Sequence, residues 1–345
     1  MGLKYLGGKT RKRRKYCKDG TRKNKKGKCV KNKKSKKRKE KKEKKERNKK
    51  KKKRKKKTMK IKYHKNKNNE SCGLGRDKDA KLPYTCYTKP ALEKMKNIWN
   101  ARHPDVKITA DRPYPIWMAL RKNMKSSCDK ESCWLKKNWV REKMDKKHLI
   151  TTFATPQPTE WKRKPTEWLT SVDIMGVMKQ LEVGNKNFSF IGPSPIDFDE
   201  HEMYGECVWE ELCKFNLNSE IKKGKSDIGI IFNLDPHDKP GSHWVAMYVS
   251  IPKKDIYYFD SYGDKMPRRI NRLAQRIQNQ SLNKGKAFSI KENKVRHQYS
   301  DSECGMYCLY FIKSLLDGET FEKFQKQKTP DLKMKTLRNI YFNKN

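Results

Sequence analysis

Between residues 228 and 260 three β-rich runs follow one another: "IGIIFNL" (228–234), "HWVAMYVSI" (243–251) and "DIYYFD" (255–260), separated only by turn-forming residues. Apolar runs of this length, rich in β-branched and aromatic residues, read as strands. They commit the chain to a central sheet with helices packed against it. "TEWLTSVDIMGVMKQLE" sets Leu169, Val172, Val177, Met178 and Leu181 at helical spacing. Thr170 and Asp173 form a capping-box-like pair ahead of them, with Asp in place of Glu or Gln. "PRRINRLAQRIQNQ" (267–280) is an amphipathic basic helix and "AFSIKEN" a further strand. "CGMYCLYFIKSLL" (304–316) is a helix with Met306, Leu309, Ile312, Leu315 and Leu316 turned inward. "FSFIGPSPIDF" (188–198), interrupted by Gly and Pro, reads as a turn-rich loop. The expected fold class is α+β, a mainly antiparallel central sheet with flanking helices.

The other end of the chain cannot join that core. Residues 1–70 hold 38 of the 87 Lys and Arg and 5 of the 39 Asp and Glu, a formal +33 out of the chain's +48. With so little apolar content this Lys-rich tail is expected to be disordered in isolation. Such a charge run is either a solvated segment or a phosphate-backbone binder, and it also reads as nuclear targeting. Sequence-independent nucleic-acid binding is the expectation. Residues 82–150 read as a small helical accessory module. In it "TKPALEKMKNIWNAR" has Thr88 as cap and Pro90 in the first turn, and Trp99, Trp117, Trp134 and Trp139 supply the core. Residues 151–165, rich in Pro and Thr, read as a linker, and 166–345 as the domain that carries the sheet.

No stretch approaches the roughly 18–20 apolar residues of a membrane span, and no secretory signal pattern opens the chain. Leu6 stands where a myristoylation pattern has Ser or Thr. No membrane partner is expected. Ten cysteines in this setting suggest free thiols in a reducing compartment. Cys128/Cys133 and Cys207/Cys213 have poor zinc spacing, so they read as structural, with no metal or other cofactor expected.

One cysteine stands apart. Cys304, in "HQYSDSECGMYC", lies where a loop becomes a helix, whose N-terminus favours a thiolate. A free cysteine is more often a buried core thiol, and making it a nucleophile requires a base, an orienting acid and oxyanion donors. All have candidates nearby. His243 opens one strand and Asp260 closes the next, at the same end of a hairpin, so the imidazole can bond a carboxylate and face a thiol. A simple turn over "PKKD" puts residue 264 opposite His243, so Asp260 must be reached by a bulge or a diagonal contact. Gln298 can donate its amide to an oxyanion beside the Cys304 backbone N–H. Gly305 permits close approach by a substrate backbone.

This ordered set, S-H-W, then D-S, then Q-x5-C-G, resembles the signature of the ubiquitin-like-protein proteases (Ulp/SENP type) and their viral adenain-like relatives. "EWLTSVDIMGVMKQLE" is similar to the helix opening the cellular domain, and "ECGMYC" to the D-C-G-x-Y-x-C run. The resemblance covers about 165–318 and implies a papain-like/adenain-like cysteine protease fold. It implies Cys304 as nucleophile, His243 as base and acid, Asp260 as orienting carboxylate and Gln298 as oxyanion donor. It further implies Trp244 as the aromatic cover of a narrow channel, and cleavage after Gly-Gly or other glycine-containing sequences in a protein substrate.

Thr170–Ser171 departs from the cellular Asn-Asp, and "IGPSPIDFDEHEMYGECVWEELC" has no cellular counterpart. With the basic tail, these features resemble proteins of giant nucleocytoplasmic large DNA viruses, whose related proteases mature virion proteins. That implies a place in the virion and the cytoplasmic viral factory, with processing of structural precursors. A deSUMOylase-like isopeptidase and an inactive nucleic-acid-binding scaffold are the competing functions. His297 and Cys308 read as packing residues, and Asp235, His237 and Asp238 as a polar loop. The Gly7–Gly8 pair reads as a flexible turn or a self-cleavage site.

Overall fold

The computed structural model describes residues 17, 21–31, 66, 69–76, 82–282, 285 and 287–344. The chain divides into two units, Met1–Lys62 and Tyr63–Asn345. In the first, β1 (Thr21–Lys23) and β2 (Cys29–Lys31) form an antiparallel hairpin. Asn24 closes its turn by accepting the N–H groups of Lys26 (3.1 Å) and Lys28 (2.9 Å), and a Cys17–Cys29 disulfide ties it down. A tail unstructured throughout 1–70 is therefore corrected at this hairpin. It is corrected again at Asn66 and Glu70, which are buried in the second unit. The remainder of the tail, including Gly7–Gly8, lies outside the described residues.

The second unit begins with helices α1 (Lys89–Arg102), α2 (Pro113–Met124), α3 (Glu131–Trp134), α4 (Asn138–Arg141) and α5 (Lys146–Thr151). Thr88 caps α1 by accepting the Ala91 N–H, with Pro90 in the first turn. Their common core includes Met95, Trp99, Trp117, Leu120, Trp134 and Phe153. The segment read as a linker is in fact packed. Phe153, Ala154 and Trp161 are buried, and β3 (Thr155–Pro156) pairs in parallel with the C-terminal β9 (Phe342–Asn343).

Helix α6 (Ser171–Gly184) starts at Thr170 through a full capping box with Asp173. Then come β4 (Phe188–Pro195), α7 (Glu210–Cys213), α8 (Leu217–Lys222), β5 (Asp227–Asn233), β6 (Trp244–Ser250) and β7 (Asp255–Phe259). They are followed by α9 (Arg268–Leu282), β8 (Ser289–Glu292), α10 (Cys304–Leu316), α11 (Phe321–Lys326) and α12 (Asp331–Tyr341). Strands β4 to β8 form one sheet in sequence order. The three inner strands are antiparallel, and each edge strand is parallel to its neighbour. The sheet is thus mixed, antiparallel where the site is built.

Alternation along the strands sorts the core into two layers. Trp244, Ala246, Tyr248, Tyr257 and Phe259 pack with α6, α10, α11 and α12. Val245, Met247, Val249, Ile256 and Tyr258 pack on the other face with α9. Both faces are covered, which is why β6 and β7 read as unbroken apolar runs. Helix α10 is buried at every position from Cys304 to Leu315, the fixed post on which the sheet end is assembled.

The stretch read as a turn-rich loop at 188–198 is instead the edge strand β4. Its breakers are accommodated by a register shift between Ile191 and Ser194. Gly192 has φ +101 there, and a Cβ would lie 2.8 Å from the Ile231 carbonyl oxygen. An edge position tolerates Pro193 and Pro195 because no outer strand needs their N–H groups.

The cysteines also depart from expectation. Cys17–Cys29, Cys72–Cys86, Cys128–Cys133 and Cys207–Cys213 are disulfides, leaving Cys304 and Cys308 free. Composition and the missing signal pattern speak to compartment and cannot report that these pairs lie with Cα atoms 5.2–6.2 Å apart. Among the described residues no helix is long and apolar enough to cross a membrane.

Candidate active site

His243 is the residue before β6 and Asp260 the residue after β7. Ala246 pairs with Phe259 and Ser250 with Asp255, so continuing the register sets Tyr262 opposite His243. Asp260 lies on the diagonal, within reach of side chains this long. The connection occupies 251–254, one residue earlier than "PKKD", with Lys254 in the left-handed region at φ 57. That shift removes the register difficulty without a bulge.

His243 Nε2 lies 2.9 Å from Asp260 Oδ1, and the Asp260 side chain is almost wholly buried. The same oxygen accepts the Tyr262 N–H at 2.8 Å. The Asp260 carbonyl accepts from Asn293 Nδ2, also at 2.8 Å, which fixes the strand end. With Nε2 committed to the carboxylate, Nδ1 is the ring nitrogen left for Cys304, whose nearby sulfur favours the charged ring. Burial alone would lower the imidazole pKa. Hydrogen bonds to Asp260 and Cys304, with the negative charge of both, outweigh it and raise the value to about 9. His243 is therefore an imidazolium at neutral pH, holding a proton beside the sulfur.

Cys304 is the first residue of α10 and only 1% exposed. The acid preceding it does not face the thiol unpaired. Glu303 is fully buried and its Oε2 meets Arg338 Nε at 2.9 Å. Arg338 also donates to the Glu167 carbonyl (2.7 Å) and the Ser302 carbonyl (3.0 Å). Its guanidinium sits 4.4 Å from the centre of the Trp161 ring. Asp301 is exposed to solvent.

Trp244 is buried, and its indole N–H donates to the Leu169 carbonyl at 3.0 Å. It thereby anchors the segment entering α6 against the start of β6. Gly305 serves the same contact. A Cβ there would lie 3.0 Å from Leu169 Cβ, so the absent side chain at 305 is what gives Leu169 its room.

Gln298 is in the expected place but fully engaged. Its Oε1 accepts the Ser261 hydroxyl at 2.7 Å. Its Nε2 donates to the Ser300 carbonyl and, at 3.4 Å, to the Tyr262 hydroxyl oxygen. A carbonyl can only accept, so the amide orientation is settled. Tyr262 itself escaped the sequence reading, although it stands two residues after Asp260. Its ring stacks on His243 with centroids 4.8 Å apart and 17° between planes, and the Arg296 guanidinium lies 5.1 Å from its centre.

The remaining candidates belong elsewhere. His297 is buried, accepts the Thr329 N–H on Nδ1 (3.0 Å), and has its pKa lowered by burial. Cys308 packs inside, its pKa pushed up by burial and then by the charges of Cys304 and Asp260. His237 bonds Asp197 at 2.7 Å and Asp235 accepts the Ser242 hydroxyl at 2.6 Å, both within a polar loop. Among the described residues His201, Cys207 and Cys213 bring ligand atoms together. The two sulfurs there are bonded to each other, which removes them as thiolate ligands.

A buried thiol paired with an imidazolium that is itself held by a carboxylate is the chemistry of thiol hydrolases, and comparison with known proteins gives the family. Residues 215–344 match the Ulp1 protease family, C-terminal catalytic domain. A chain named as a thiol protease of Acanthamoeba polyphaga mimivirus is 31% identical over 278 residues, covering 75% of this chain and 89% of that one. The chain belongs to the Ulp1 protease family. As a member it is a cysteine peptidase, a hydrolase of protein substrates. A cysteine protease of African swine fever virus is 27% identical over 238 residues, covering 65% of this chain and 86% of its own. Versions from other isolates bear the name SUMO-1 cysteine protease. A crystal structure of an African swine fever virus protease superposes with TM-score 0.52 at 24% identity, covering 69% of this chain and 94% of that one. The fold likeness to that protease therefore covers more of the chain than residues 215–344.

Proposed function

We propose that the protein is a thiol endopeptidase that cleaves after glycine, at Gly-Gly-X sequences, in precursors of viral structural proteins. The observation that carries this reading is that His243, held by Asp260 at 2.9 Å, is pushed to its charged form by Asp260 and Cys304 together. The Cys304 sulfur attacks the scissile carbonyl carbon, and the carbonyl π pair moves onto oxygen. As the tetrahedral species collapses to a thioester, the C–N bond breaks and His243 gives its proton to the leaving amine. Water then attacks the thioester, His243 takes up a proton, and the acid product leaves with the sulfur regenerated. Glycine selectivity is supported by the 1% exposure of Cys304, since a carbonyl flanked by side chains has little room to reach the sulfur.

The test is hydrolysis of a Gly-Gly-X reporter peptide by wild type and by Cys304→Ala. Activity confined to wild type supports the mechanism, and equal activity overturns it. A second reading, release of a ubiquitin-like modifier from lysine side chains, is favoured by the SUMO-1 protease name borne by relatives. Viral precursor proteins and SUMO conjugates offered side by side separate the two.

The basic tail is assigned to sequence-independent binding of nucleic acid, tethering the enzyme to packaged genome in the virion and viral factory. Its charge supports this. Deleting residues 1–62 should abolish salt-sensitive DNA binding. Undiminished binding by the truncated chain would sink the assignment.

A further inference from the structure

The loop over 201–213 folds back until its two ends meet. Tyr204 and Gly205 turn the chain in the left-handed region, at φ 73 and 76. The Glu202 N–H donates to the Glu206 carbonyl at 2.8 Å, and the Val208 N–H to the Glu200 carbonyl at 2.9 Å. His201 and Cys207 are thereby bridged across the turn, and Cys213, the last residue of α7, reaches the same point. In sequence the two cysteines are spaced C-x5-C, wider than the usual x2–4 of zinc ligands. The turn makes up the difference. His201 Nε2, Cys207 Sγ and Cys213 Sγ all lie within 4.8 Å of one another. His201 Nε2 is 3.7 Å from Cys207 Sγ. A tetrahedral zinc ion with its ordinary bond lengths sets a nitrogen and a sulfur ligand about 3.6 Å apart.

The disulfide withholds both sulfurs while it lasts, but it is placed to open. It joins residues only six apart in sequence, and the Cys207–His201 contact lies at the surface. Exposed disulfides are the more easily reduced ones. Surroundings that keep Cys304 a working thiol therefore act on this bond as well. A dithiol reductant supplies two electrons and two protons to it and is itself oxidised to a disulfide, leaving Cys207 and Cys213 as thiols. The sulfurs then need only move to about 3.8 Å from each other, the sulfur–sulfur edge of the same tetrahedron. Among the described residues none of the other three disulfides gathers a third ligand of this kind.

We propose that reduction of Cys207–Cys213 turns this loop into a zinc site, with His201 Nε2 and the Cys207 and Cys213 thiolates as protein ligands and water in the fourth position. Each thiol releases its proton to solvent as Zn²⁺ binds, and the imidazole binds neutral. Glu210 stands between the two cysteines but is paired with Lys214 Nζ at 2.7 Å, which leaves it out of the set. The metal takes over the link between the turn and α7, so the loop is closed in either redox state.

Zinc affinity is measured by competition with a chromophoric chelator, on full-length Cys304→Ala so that the catalytic thiol makes no contribution. After treatment with a dithiol, and removal of the dithiol without air, the protein should bind zinc. His201→Ala, Cys207→Ser and Cys213→Ser should each weaken that binding by more than the roughly 10–100-fold that a ligand's own hydrogen-bond partner is worth. In the unreduced protein His201→Ala should change nothing. Cobalt(II) in place of zinc should give a thiolate-to-metal charge-transfer absorption that Cys207→Ser/Cys213→Ser abolishes. Two readouts need no substitution. In the reduced wild-type chain zinc should shield Cys207 and Cys213 from iodoacetamide, as read by peptide mass, and should raise the melting temperature. Zinc affinity untouched by all three substitutions would mean an adventitious ion only and overturns the assignment. Equal alkylation of Cys207 and Cys213 with and without zinc overturns it too, as does a Cys207–Cys213 bond that stays closed under a dithiol that keeps Cys304 reduced.

Discussion

Arg338 and Glu303 form an ion pair with both side chains buried, next to the cysteine at the head of α10. It keeps the acid beside the thiol from opposing a thiolate, because the negative charge is spent on a guanidinium that also binds the Glu167 and Ser302 carbonyls. Breaking such a pair by removing one partner typically costs about 3–5 kcal/mol, since the other charge is left buried. Arg338→Met should destabilise the protein by that order in urea unfolding. The double variant Arg338→Met/Glu303→Gln should recover much of the loss. A loss that persists in the double variant would assign the effect to the Trp161 stack and the two carbonyl contacts instead.

The His243 value gives a pH prediction with a definite sign. The folded pKa, about 9, lies above the ordinary 6.5, so the fold favours the charged ring. That stabilisation is complete below about pH 6.5 and is lost as pH rises through about 9. The activity profile should accordingly fall on its alkaline side near pH 9 as the ring loses the proton destined for the leaving amine. In Asp260→Asn the alkaline fall should move to lower pH. An unmoved limb in that variant would detach it from His243.

Gly305→Ala should strain the contact with Leu169, at about 1–3 kcal/mol, the usual range for overpacking. Combining it with Leu169→Ala should cost less than the sum of the two single changes, because the smaller side chain frees the space the new methyl needs. Strict additivity in thermal or urea unfolding would mean that the two residues do not share that space.

Alkylation of the unfolded, unreduced protein should label two thiols, Cys304 and Cys308. Removing the Cys72–Cys86 bond, which closes a loop of about 15 residues, should cost about 3 kcal/mol. Intact-mass analysis finding more than two labels would count against the pairings.

Much of this was readable in the chain. Strands β5, β6 and β7 announce themselves through unbroken apolar runs, and Thr170 with Asp173 announces α6. The His243, Asp260, Gln298 and Cys304 set follows from residue types in order. What stayed hidden depended on distant or conformational facts. The hairpin register turned on a single left-handed residue, Lys254. Arg338 reaches Glu303 across 35 positions, and no local pattern marks it. Gln298 was recognised, but the engagement of both its hydrogens is visible only once Ser261, Tyr262 and Ser300 surround it. Strand β4 was concealed by Gly192 and two prolines that an edge position can carry.

Ser71 and Asn343 clasp each other. The Ser71 N–H donates to Asn343 Oδ1 at 2.6 Å, and Asn343 Nδ2 returns a bond to the Ser71 carbonyl at 2.8 Å. Strand β9 pairs with β3 at the same place, and α12, just upstream, supplies Arg338. The residue that locks the helical segment thus lies 272 positions along the chain from its partner, so the clasp joins stretches that no local folding step could bring together.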